Sequence, residues 1–395
     1  MQIETLGKKC TGCGACAASC PAKCIVMKPD GEGFLYPEVG DDCLGCERCT
    51  NVCPVISHKA DGAKAPKTFA AYNKNEQERL SSSSGGIFVL LAKRIIDDGG
   101  TVYGAALLED MSVHHIRVSN TGELCRLQDS KYVQSIVDSH IYESVKKDLE
   151  AGRKVLFSGT PCQCAAMSRS VGENGGFFTA SIICHGVPSP AVWREYVKMR
   201  EEKENSRVIN ASFRNKRLGW EHFSMKTEFE NGSVYTNPFE KDPYMRVFLR
   251  NVCLRESCYD CTFKGDGAYG GADILLSDWW GAVPGILPGK FDDKGLSAVY
   301  IMSERGELLW ESVKSECVSA LADFNKVSNS NEAFRSSVVR PAARDVFIKE
   351  VSANTFEECA NKYAKTPFRT LLRRKAIDLS KKLKIYGFLK KLADR

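Results

Sequence analysis

The sequence contains one cysteine motif twice, and this repeat decides how the N-terminal part of the chain folds. The first copy reads CTGCGACAASCP from Cys10 to Pro21, and the second reads CLGCERCTNVCP from Cys43 to Pro54. Both copies follow the spacing C-x2-C-x2-C-x3-C-P, and every matched position is offset by 33 residues. Nine of the 18 cysteines in the 395-residue chain lie within the first 53 residues. We call residues 1–57 the head.

This spacing is typical of proteins that bind two [4Fe-4S] clusters. In the bacterial ferredoxin pattern, three closely spaced thiolates hold one cube, and the fourth cysteine reaches across to the other cube. The sequence therefore predicts a first cluster on Cys10, Cys13, Cys16 and Cys53, and a second cluster on Cys20, Cys43, Cys46 and Cys49. Structural zinc is disfavoured here because zinc sites usually pair two C-x2-C knuckles. The ninth cysteine of the head, Cys24, is expected to be a packed free thiol.

Composition and charge exclude several classes of protein. The chain is 43% hydrophobic and 26% charged, which supports a full core and excludes a disordered or collagen-like protein. Its first residues lack the basic-then-apolar pattern of a secretory signal, so none is expected, and no apolar run reaches membrane-spanning length. We therefore expect a soluble, cytoplasmic protein whose cysteines serve metal or redox chemistry rather than disulfides. The net charge of +6 is concentrated in residues 361–395, with 12 Lys or Arg against two Asp, so no nucleic-acid partner is expected.

After the head, strand-like and helix-like segments alternate, which predicts a mixed α/β body. We expect a linker over 58–67, two body segments over 68–175 and 176–355, and a tail over 361–395. Within the body, Ile87–Asp97 and Pro190–Glu202 are predicted helices and Thr101–Leu107 is a predicted strand. Residues 208–239 are predicted strands with Asn231-Gly232 as a hairpin turn. The fold class is therefore α+β or α/β, with a small ferredoxin-like domain fused to this body.

A second cysteine group lies in the body, with the spacing Cys253-x4-Cys258-x2-Cys261. The plant-type iron–sulfur pattern has this C-x4-C-x2-C spacing and a fourth cysteine elsewhere. Cys184 is the first candidate for the fourth ligand because it ends a predicted strand, and Cys162 is the second. Structural zinc stays an alternative because a C-x2-C pair with a distant second pair is also a zinc pattern.

A serine and glycine run, Ser81-Ser82-Ser83-Ser84-Gly85-Gly86, precedes the predicted helix at Ile87. Serines can cap the exposed N–H groups of a helix start, and glycines permit close approach of an anionic ligand. A capped helix without any ligand explains the same pattern. The sequence contains neither a G-x-G-x-x-G after a strand nor a P-loop, so it supports neither a nicotinamide Rossmann site nor a P-loop ATPase.

Six motifs, in this order, make residues 68 to about 350 resemble the coenzyme F420 hydrogenase/dehydrogenase beta-subunit family. They are Ser82–Gly86, Ser130–Ser135, Gly159–Gln163, Cys184–Pro190, Ser257–Cys261 and Asp273–Gly281. Members of that family are flavoproteins that bind FAD and at least one [4Fe-4S] cluster. The resemblance therefore implies a flavin-binding body, and it favours a third [4Fe-4S] cluster over zinc at Cys184, Cys253, Cys258 and Cys261. The chain has Ser277 before Asp278, where relatives often have glycine, and this leaves the role of Asp278 open.

The resemblance also implies the residues that would hold FAD. Ser83, Ser84, Gly85 and Gly86 would hold the pyrophosphate, and Gly159, Thr160 and Cys162 would line the flavin. Lys131 would place positive charge near the phosphates or the ring, and a solvated surface lysine is the alternative. His185, beside a candidate ligand, is at least as well explained as a core histidine as a proton donor.

The expected function is that of an iron–sulfur flavoprotein oxidoreductase. It would exchange hydride at FAD with coenzyme F420 or another hydride carrier, and it would pass single electrons through the clusters to a ferredoxin-type partner. Two other functions stay open: a non-catalytic electron-transfer subunit that feeds a partner enzyme, and a ferredoxin-dependent reductase of an organic substrate. A zinc-stabilised binding protein is the hypothesis from a different class.

The tail has apolar residues at helical spacing from Leu372 to Leu392, with lysines and arginines between them. This pattern predicts a basic amphipathic helix. Such a helix can make a peripheral membrane contact or dock a partner. A terminal helix packed on the body is the alternative.

Overall fold

The computed structural model describes most of the head and body. The described residues are 3–57, 65–265, 269, 271–280, 286–287, 292–367, 372, 376, 379 and 380. The predicted linker (residues 58–64 of it), most of the predicted tail helix, and Gly281 therefore lie outside the described residues. No helix in the described part of the chain is long and apolar enough to cross a membrane.

Thirteen strands are present among the described residues. They are β1 (Ile25–Pro29), β2 (Leu35–Val39), β3 (Lys67–Asn73), β4 (Thr101–Leu107), β5 (Val113–Val118), β6 (Val155–Gly159), β7 (Phe177–Ile182), β8 (Val208–Asn215), β9 (Ser224–Phe229), β10 (Val234–Pro238), β11 (Ile274–Asp278), β12 (Ser297–Ile301) and β13 (Cys317–Ala322).

Thirteen α-helices connect and cover these strands in the same part of the chain. They are α1 (Ala15–Ser19), α2 (Arg48–Val52), α3 (Glu76–Ser81), α4 (Ile87–Asp97), α5 (Ser139–Glu150), α6 (Pro161–Val171), α7 (Pro190–Glu204), α8 (Pro243–Leu249), α9 (Glu304–Val313), α10 (Phe324–Asn329), α11 (Glu332–Arg335), α12 (Arg344–Glu350) and α13 (Phe356–Tyr363).

Each copy of the cysteine motif in the head contains a short helix. Each cysteine loop runs into a short helix, α1 or α2, and these helices pack on each other. Strands β1 and β2 pair antiparallel beside them. Gly12 and Gly14, between the first three cysteines, have φ values of +69° and +80°, a left-handed backbone that glycine adopts without steric cost.

The body is built on one mixed sheet of eight strands, in the order β13-β3-β12-β11-β7-β6-β4-β5. Strands β4, β6, β7 and β11 are parallel neighbours. Strand β3 points the same way, because two antiparallel pairings through β12 separate it from β11. The carboxyl ends of these strands therefore meet at one edge, which is where open α/β sheets place their ligand sites.

Successive side chains of the strands point to opposite faces of the sheet, and both faces are covered by apolar core. Val102 and Leu156 pack with α4 and α9 on one face, while Tyr103 and Phe157 pack with α5 and α6 on the other. A separate three-stranded sheet, in the order β10-β9-β8, shares its core with α7, α8, α12 and α13.

The structure confirms the predicted mixed α/β class. Helix α4 and strand β4 have the predicted bounds, and α7 extends two residues beyond its predicted end. The hairpin turn at Asn231-Gly232 is also present, with Gly232 N–H donating to the Phe229 carbonyl at 2.9 Å. The strand order could not be predicted, because partners such as β3 and β12 lie far apart in sequence.

Asp148 on α5 is a buried carboxylate that joins this helix to the edge strands. It accepts hydrogen bonds from Thr101, Tyr103, Arg117 and Arg153 at 2.7 to 3.0 Å. Burial alone would raise the pKa of Asp148, but these hydrogen bonds outweigh it and hold the pKa below its usual range.

We predict that Asp148→Asn lowers the free energy of unfolding by about 2–4 kcal/mol, since it leaves two arginines without their buried partner. The carboxylate stabilises the fold fully above its ordinary pKa of about 4, and this contribution is lost as the pH falls further. The loss of stability on acidification should therefore be smaller in the variant. Anaerobic urea unfolding followed by circular dichroism between pH 2.5 and pH 7 measures both effects, because the loss occurs below about pH 4.

Asp98→Asn is the matched control. Asp98 pairs with Arg94 and Lys154 at the surface, where an ion pair contributes about 1 kcal/mol or less. Equal destabilisation by the two variants would contradict the role given to Asp148.

Candidate functional site

A cavity of about 920 Å³ lies at the carboxyl edge of the sheet. The loop between α3 and α4, the end of β6 and the loop after β7 supply much of its wall, including Ser84, Thr160 and His185. Strand β8 contributes Arg214, and the segment after β11 contributes Trp280. The volume is that of a pocket for a large organic molecule.

The predicted pyrophosphate residues fall into two groups. Ser83, Ser84 and Gly86 line the cavity, at the start of α4. Gly85 is not among the described lining residues: its N–H donates to Ser297 Oγ at 2.9 Å, and a Cβ at this position would lie 2.5 Å from the Ala71 carbonyl oxygen. Gly85 is thus required by packing against the sheet.

The serine hydroxyls do not cap α4. Ser83 Oγ lies 2.8 Å from Ser130 Oγ and donates to Asp129, and Ser84 Oγ donates to the Leu296 carbonyl at 2.8 Å. The N-cap residue of α4 is Gly86, with φ of +81° and no side-chain cap. The first N–H groups of α4 thus have no side-chain cap beside the cavity, which is the arrangement that favours an anion.

Lys131 also lines the cavity, as the resemblance implies. Its Nζ donates to the Arg126 carbonyl at 3.0 Å and to the Gln128 carbonyl. Burial lowers the pKa of Lys131 to about 8, although Asp129 partly opposes this effect. A bound anion would restore the charged form.

The opposite wall contains an ion pair that was not predicted from the sequence. Arg214 is 4% exposed and binds both carboxylate oxygens of Asp278, at 2.9 and 3.1 Å. Trp220 donates to the same carboxylate at 2.7 Å and stacks on Trp280 at 4.9 Å. The Asp278 carboxylate therefore fixes the positions of the Arg214 and Trp220 side chains. A lone arginine within a strand gives no signal of this in the sequence.

Four cysteine thiols gather beside the cavity: Cys162, Cys184, Cys258 and Cys261. Each of the last three influences the ionisation of Cys162. Cys162 begins α6 directly after β6, and Cys184 follows β7, the neighbouring strand. Cys258 Sγ accepts a hydrogen bond from Val187 N–H at 3.5 Å, and this contact places Cys258 beside the loop that contains Cys184. Cys184 lines the cavity as well, so the thiol group and the cavity share a wall.

This set differs from the expected ligands Cys184, Cys253, Cys258 and Cys261. Cys253 is fully buried in the core formed with α7, α8 and α12. Its charged neighbours are Arg344 and Glu32, and no other cysteine influences its ionisation. Cys162, expected in the flavin wall and as the second candidate for the fourth ligand, is not among the described lining residues of the cavity and lies in the thiol group with Cys184, Cys258 and Cys261.

The chemistry of these thiols fits a metal cluster. Burial, followed by the influence of neighbouring thiols, raises the pKa of Cys184 to about 12 and that of Cys258 to about 11, and raises the pKa of Cys162 strongly. Buried thiols with raised pKa values lose their protons only beside a cationic partner such as a metal. Among the described residues, no three His, Cys, Asp or Glu side chains converge tightly enough for a single metal ion.

His185 and His115 lie at the cavity wall. His185 Nε2 lies 2.6 Å from Asn251 Oδ1, and burial lowers the pKa of His185, so the neutral ring donates to the amide. His115 Nε2 contacts the Ser158 carbonyl oxygen at 3.0 Å. The buried atoms His115 Nδ1 and Arg214 Nε have no hydrogen-bond partner among the described residues. Both atoms are available to a polar group of a bound molecule.

In the head, the structure brings together the cysteines expected for the first cluster. Cys10, Cys13, Cys16 and Cys53 are each at most 8% exposed. Cys16 is influenced by the other three. Burial and these neighbours raise the pKa of Cys13 to about 12. Gly12 N–H points at Cys10 Sγ, at 3.3 Å, as an amide does toward cluster sulfur.

The cysteines expected for the second cluster lie at the surface. Cys43 and Cys46 are exposed, within a loop over 41–48 in which every residue is exposed. Cys49 is influenced by both. Cys24, expected to be a free packed thiol, lies 3.4 Å from Cys20 Sγ and is also influenced by Cys43. It thus lies next to the second set.

The first cysteine set faces the body. Tyr142 of α5 donates to the Cys13 carbonyl at 2.8 Å, and its ionisation is influenced by Cys13, Cys16 and Cys162. Arg255 donates to the Cys10 carbonyl at 2.7 Å and to Gln134 Oε1 at 3.0 Å. The body thiol group and the first set of the head are therefore neighbours across this junction. The sequence gives no signal for these three contacts.

Comparison with known proteins agrees with both halves of this arrangement. Residues 9–56 match the 4Fe-4S dicluster domain. Residues 152–326 match the family described as the C terminus of the beta subunit of coenzyme F420 hydrogenase/dehydrogenase. No curated protein matched the sequence.

Among solved structures, one match is a chain of the F420-reducing [NiFe] hydrogenase complex from Methanosarcina barkeri, from a xenon derivatization study. It has 17% sequence identity and a TM-score of 0.45, over 76% of this chain and 91% of that chain. The two sequence-family matches confirm the resemblance inferred from the motifs. Residues 9–56 are therefore similar to a 4Fe-4S dicluster domain, and residues 152–326 are similar to the C-terminal part of the coenzyme F420 hydrogenase/dehydrogenase beta subunit.

Proposed function

We propose that the protein is an iron–sulfur flavoprotein oxidoreductase with FAD in the cavity and three [4Fe-4S] clusters in line behind it. The observation that carries this proposal is the wall shared by the cavity and the thiol group, in which Cys184 belongs to both. Bound FAD would exchange a hydride with a small carrier, coenzyme F420 being the first candidate, and single electrons with the clusters.

The residues present fit FAD. The uncapped start of α4, with Ser83, Ser84 and Gly86, would face the pyrophosphate, and Lys131 would add positive charge. Gly159 and Thr160 line the cavity at the end of β6, next to the cysteine loop. The unpartnered atoms His115 Nδ1 and Arg214 Nε would bond polar groups of the cofactor.

The proposed third cluster is held by Cys162, Cys184, Cys258 and Cys261, with Cys253 left as a core thiol. Tyr142 and Arg255 hold the first cluster beside it, and the exposed loop over 41–48 presents the second cluster to a redox partner. A ferredoxin or another one-electron carrier would exchange electrons there. The order of the three thiol sets thus leads from the cavity to the surface.

Anaerobic purification followed by iron, zinc and flavin analysis tests the proposal. We expect about twelve irons per chain, four for each cube, with one FAD and no stoichiometric zinc. Reduced F420 should then bleach the flavin and reduce an added ferredoxin. Eight irons without flavin would contradict the proposal.

A non-catalytic electron-transfer subunit is the second candidate, favoured by the exposed second cluster. It would contain the same irons but would exchange no hydride with F420. A ferredoxin-dependent reductase of an organic substrate would retain FAD, reduced by ferredoxin, and would also fail to react with F420.

The ligand set of the third cluster makes a direct prediction. Cys162→Ala and Cys184→Ala should each lower the iron content from about twelve to about eight per chain, because a cube with three thiolates is labile. Cys253→Ala is the matched control and should keep about twelve irons, since its thiol lies in the core. Iron loss in Cys253→Ala, with full iron in Cys162→Ala, would contradict the assignment.

The role of Lys131 predicts a pH effect on FAD binding. Its pKa of about 8 means that Nζ is charged below this pH and neutral above it, so the affinity for FAD should fall as the pH rises through 8. Lys131→Met should weaken binding about tenfold at pH 7, the size of one charge-assisted hydrogen bond, and should remove the pH step. Fluorescence titration of the deflavinated protein measures both effects.

Lys154→Met is the control for Lys131. Lys154 lies before β6, at the opposite edge of the sheet, and pairs with Asp98. Its loss should leave FAD affinity unchanged at every pH. A pH step that persists in Lys131→Met would assign the effect to another group.

A further inference from the structure

Arg255 is a fully buried cation at the junction of the head and the body. Its Nε donates to the Cys10 carbonyl at 2.7 Å, one Nη to Gln134 Oε1 at 3.0 Å and the other to the Leu35 carbonyl at 2.8 Å. The guanidinium also lies 4.3 Å from the ring centre of Tyr36. All three acceptors are neutral groups.

The hydrogen bonds of Arg255 satisfy its N–H groups, but they do not neutralise its charge. In the described part of the chain it has no carboxylate partner. Arg344, at the same junction and 3% exposed, shows the contrast, because it pairs with Glu32, Glu256 and Asp345. A buried charge without a counter-charge costs several kcal/mol, so an anionic group is expected next to Arg255.

The cysteines of the neighbouring loop would supply this negative charge as thiolates. Arg255 touches the loop of the first set, because a Cβ on Gly12 would lie only 2.7 Å from its Nη1. A [4Fe-4S] cube with four thiolates carries net negative charge, and one-electron reduction adds another negative charge.

We propose that Arg255 is the counter-charge that raises the reduction potential of the first cluster, held by Cys10, Cys13, Cys16 and Cys53. A fixed positive charge in a buried site stabilises the reduced cube more than the oxidised one, because the reduced cube has one more negative charge. Arg255 binds the loop through a backbone carbonyl and so acts as a positioning and tuning residue. The proposal requires neither FAD nor the third cluster.

A redox titration followed by electron paramagnetic resonance tests this on the full-length protein. Arg255→Gln and Arg255→Met should shift the midpoint potential of one head cluster to more negative values. The second head cluster should keep its midpoint, because the hydrogen bonds of Arg255 go to the Cys10 carbonyl, Gln134 and the Leu35 carbonyl and to none of its four expected ligands. Arg255→Lys retains the charge and should stay closer to the unchanged protein than either neutral variant.

Arg344→Gln is the matched control. It also removes a buried cation from this junction, but Arg344, unlike Arg255, has carboxylate partners. It should leave both head potentials unchanged. An unchanged midpoint in Arg255→Gln with full iron content would overturn the proposal, as would an equal shift in Arg344→Gln, which would indicate a loosened junction. Loss of head iron in both neutral variants would also overturn it, because Arg255 would then be needed to build the junction.

These outcomes are distinct from failure of the proposed function. A preparation with eight irons and no flavin would contradict the flavin and the third cluster, yet the titration of the head clusters would still decide the role of Arg255.

Discussion

The contact between the first cysteine loop and the body is the constraint on which the rest of the arrangement depends. Tyr142 and Arg255 bind the carbonyls of Cys13 and Cys10, and Gln134 binds that of Thr11. Gly14 permits this approach, since a Cβ there would lie 2.5 Å from the Val137 carbonyl oxygen. The rate of electron transfer falls steeply with distance. A head attached only through a flexible linker would not keep its cysteines at a fixed distance from those of the body. The buried bonds keep the two thiol sets adjacent.

The sheet supplies the second half of the arrangement. Strands β6 and β7 are parallel neighbours, and their carboxyl ends deliver Cys162 and Cys184 to the same edge that opens into the cavity. The same edge receives the start of α4, which has no side-chain cap, from the loop between α3 and α4. One feature of topology therefore brings the start of α4 and the thiol group to the same edge of the sheet. The separate sheet β8–β10 closes the cavity with Arg214, whose charge Asp278 balances.

Local patterns predicted much of this, and long-range contacts explain what they missed. The repeat of the head predicted its thiol sets, and hydrophobic runs predicted α4 and β4, because neighbours in sequence decide both. Cys253 was expected as a ligand from its spacing alone, yet the chain turns its side chain into the core beside Arg344. The position of Cys162 shortly after β6, the strand next to β7, was the available signal that it lies beside Cys184. The partners of Ser83, Ser84 and Arg255 lie far away in sequence, so no local pattern could reveal them.

The central claim is that a third cluster lies between the cavity and the head. The most direct measurement is an anomalous-scattering map at the iron absorption edge, from crystals of the anaerobically purified full-length protein. The account predicts three iron peaks, one of them enclosed by Cys162, Cys184, Cys258 and Cys261 and next to the cavity wall. Two peaks confined to the head, or a third peak bound by Cys253, would contradict it.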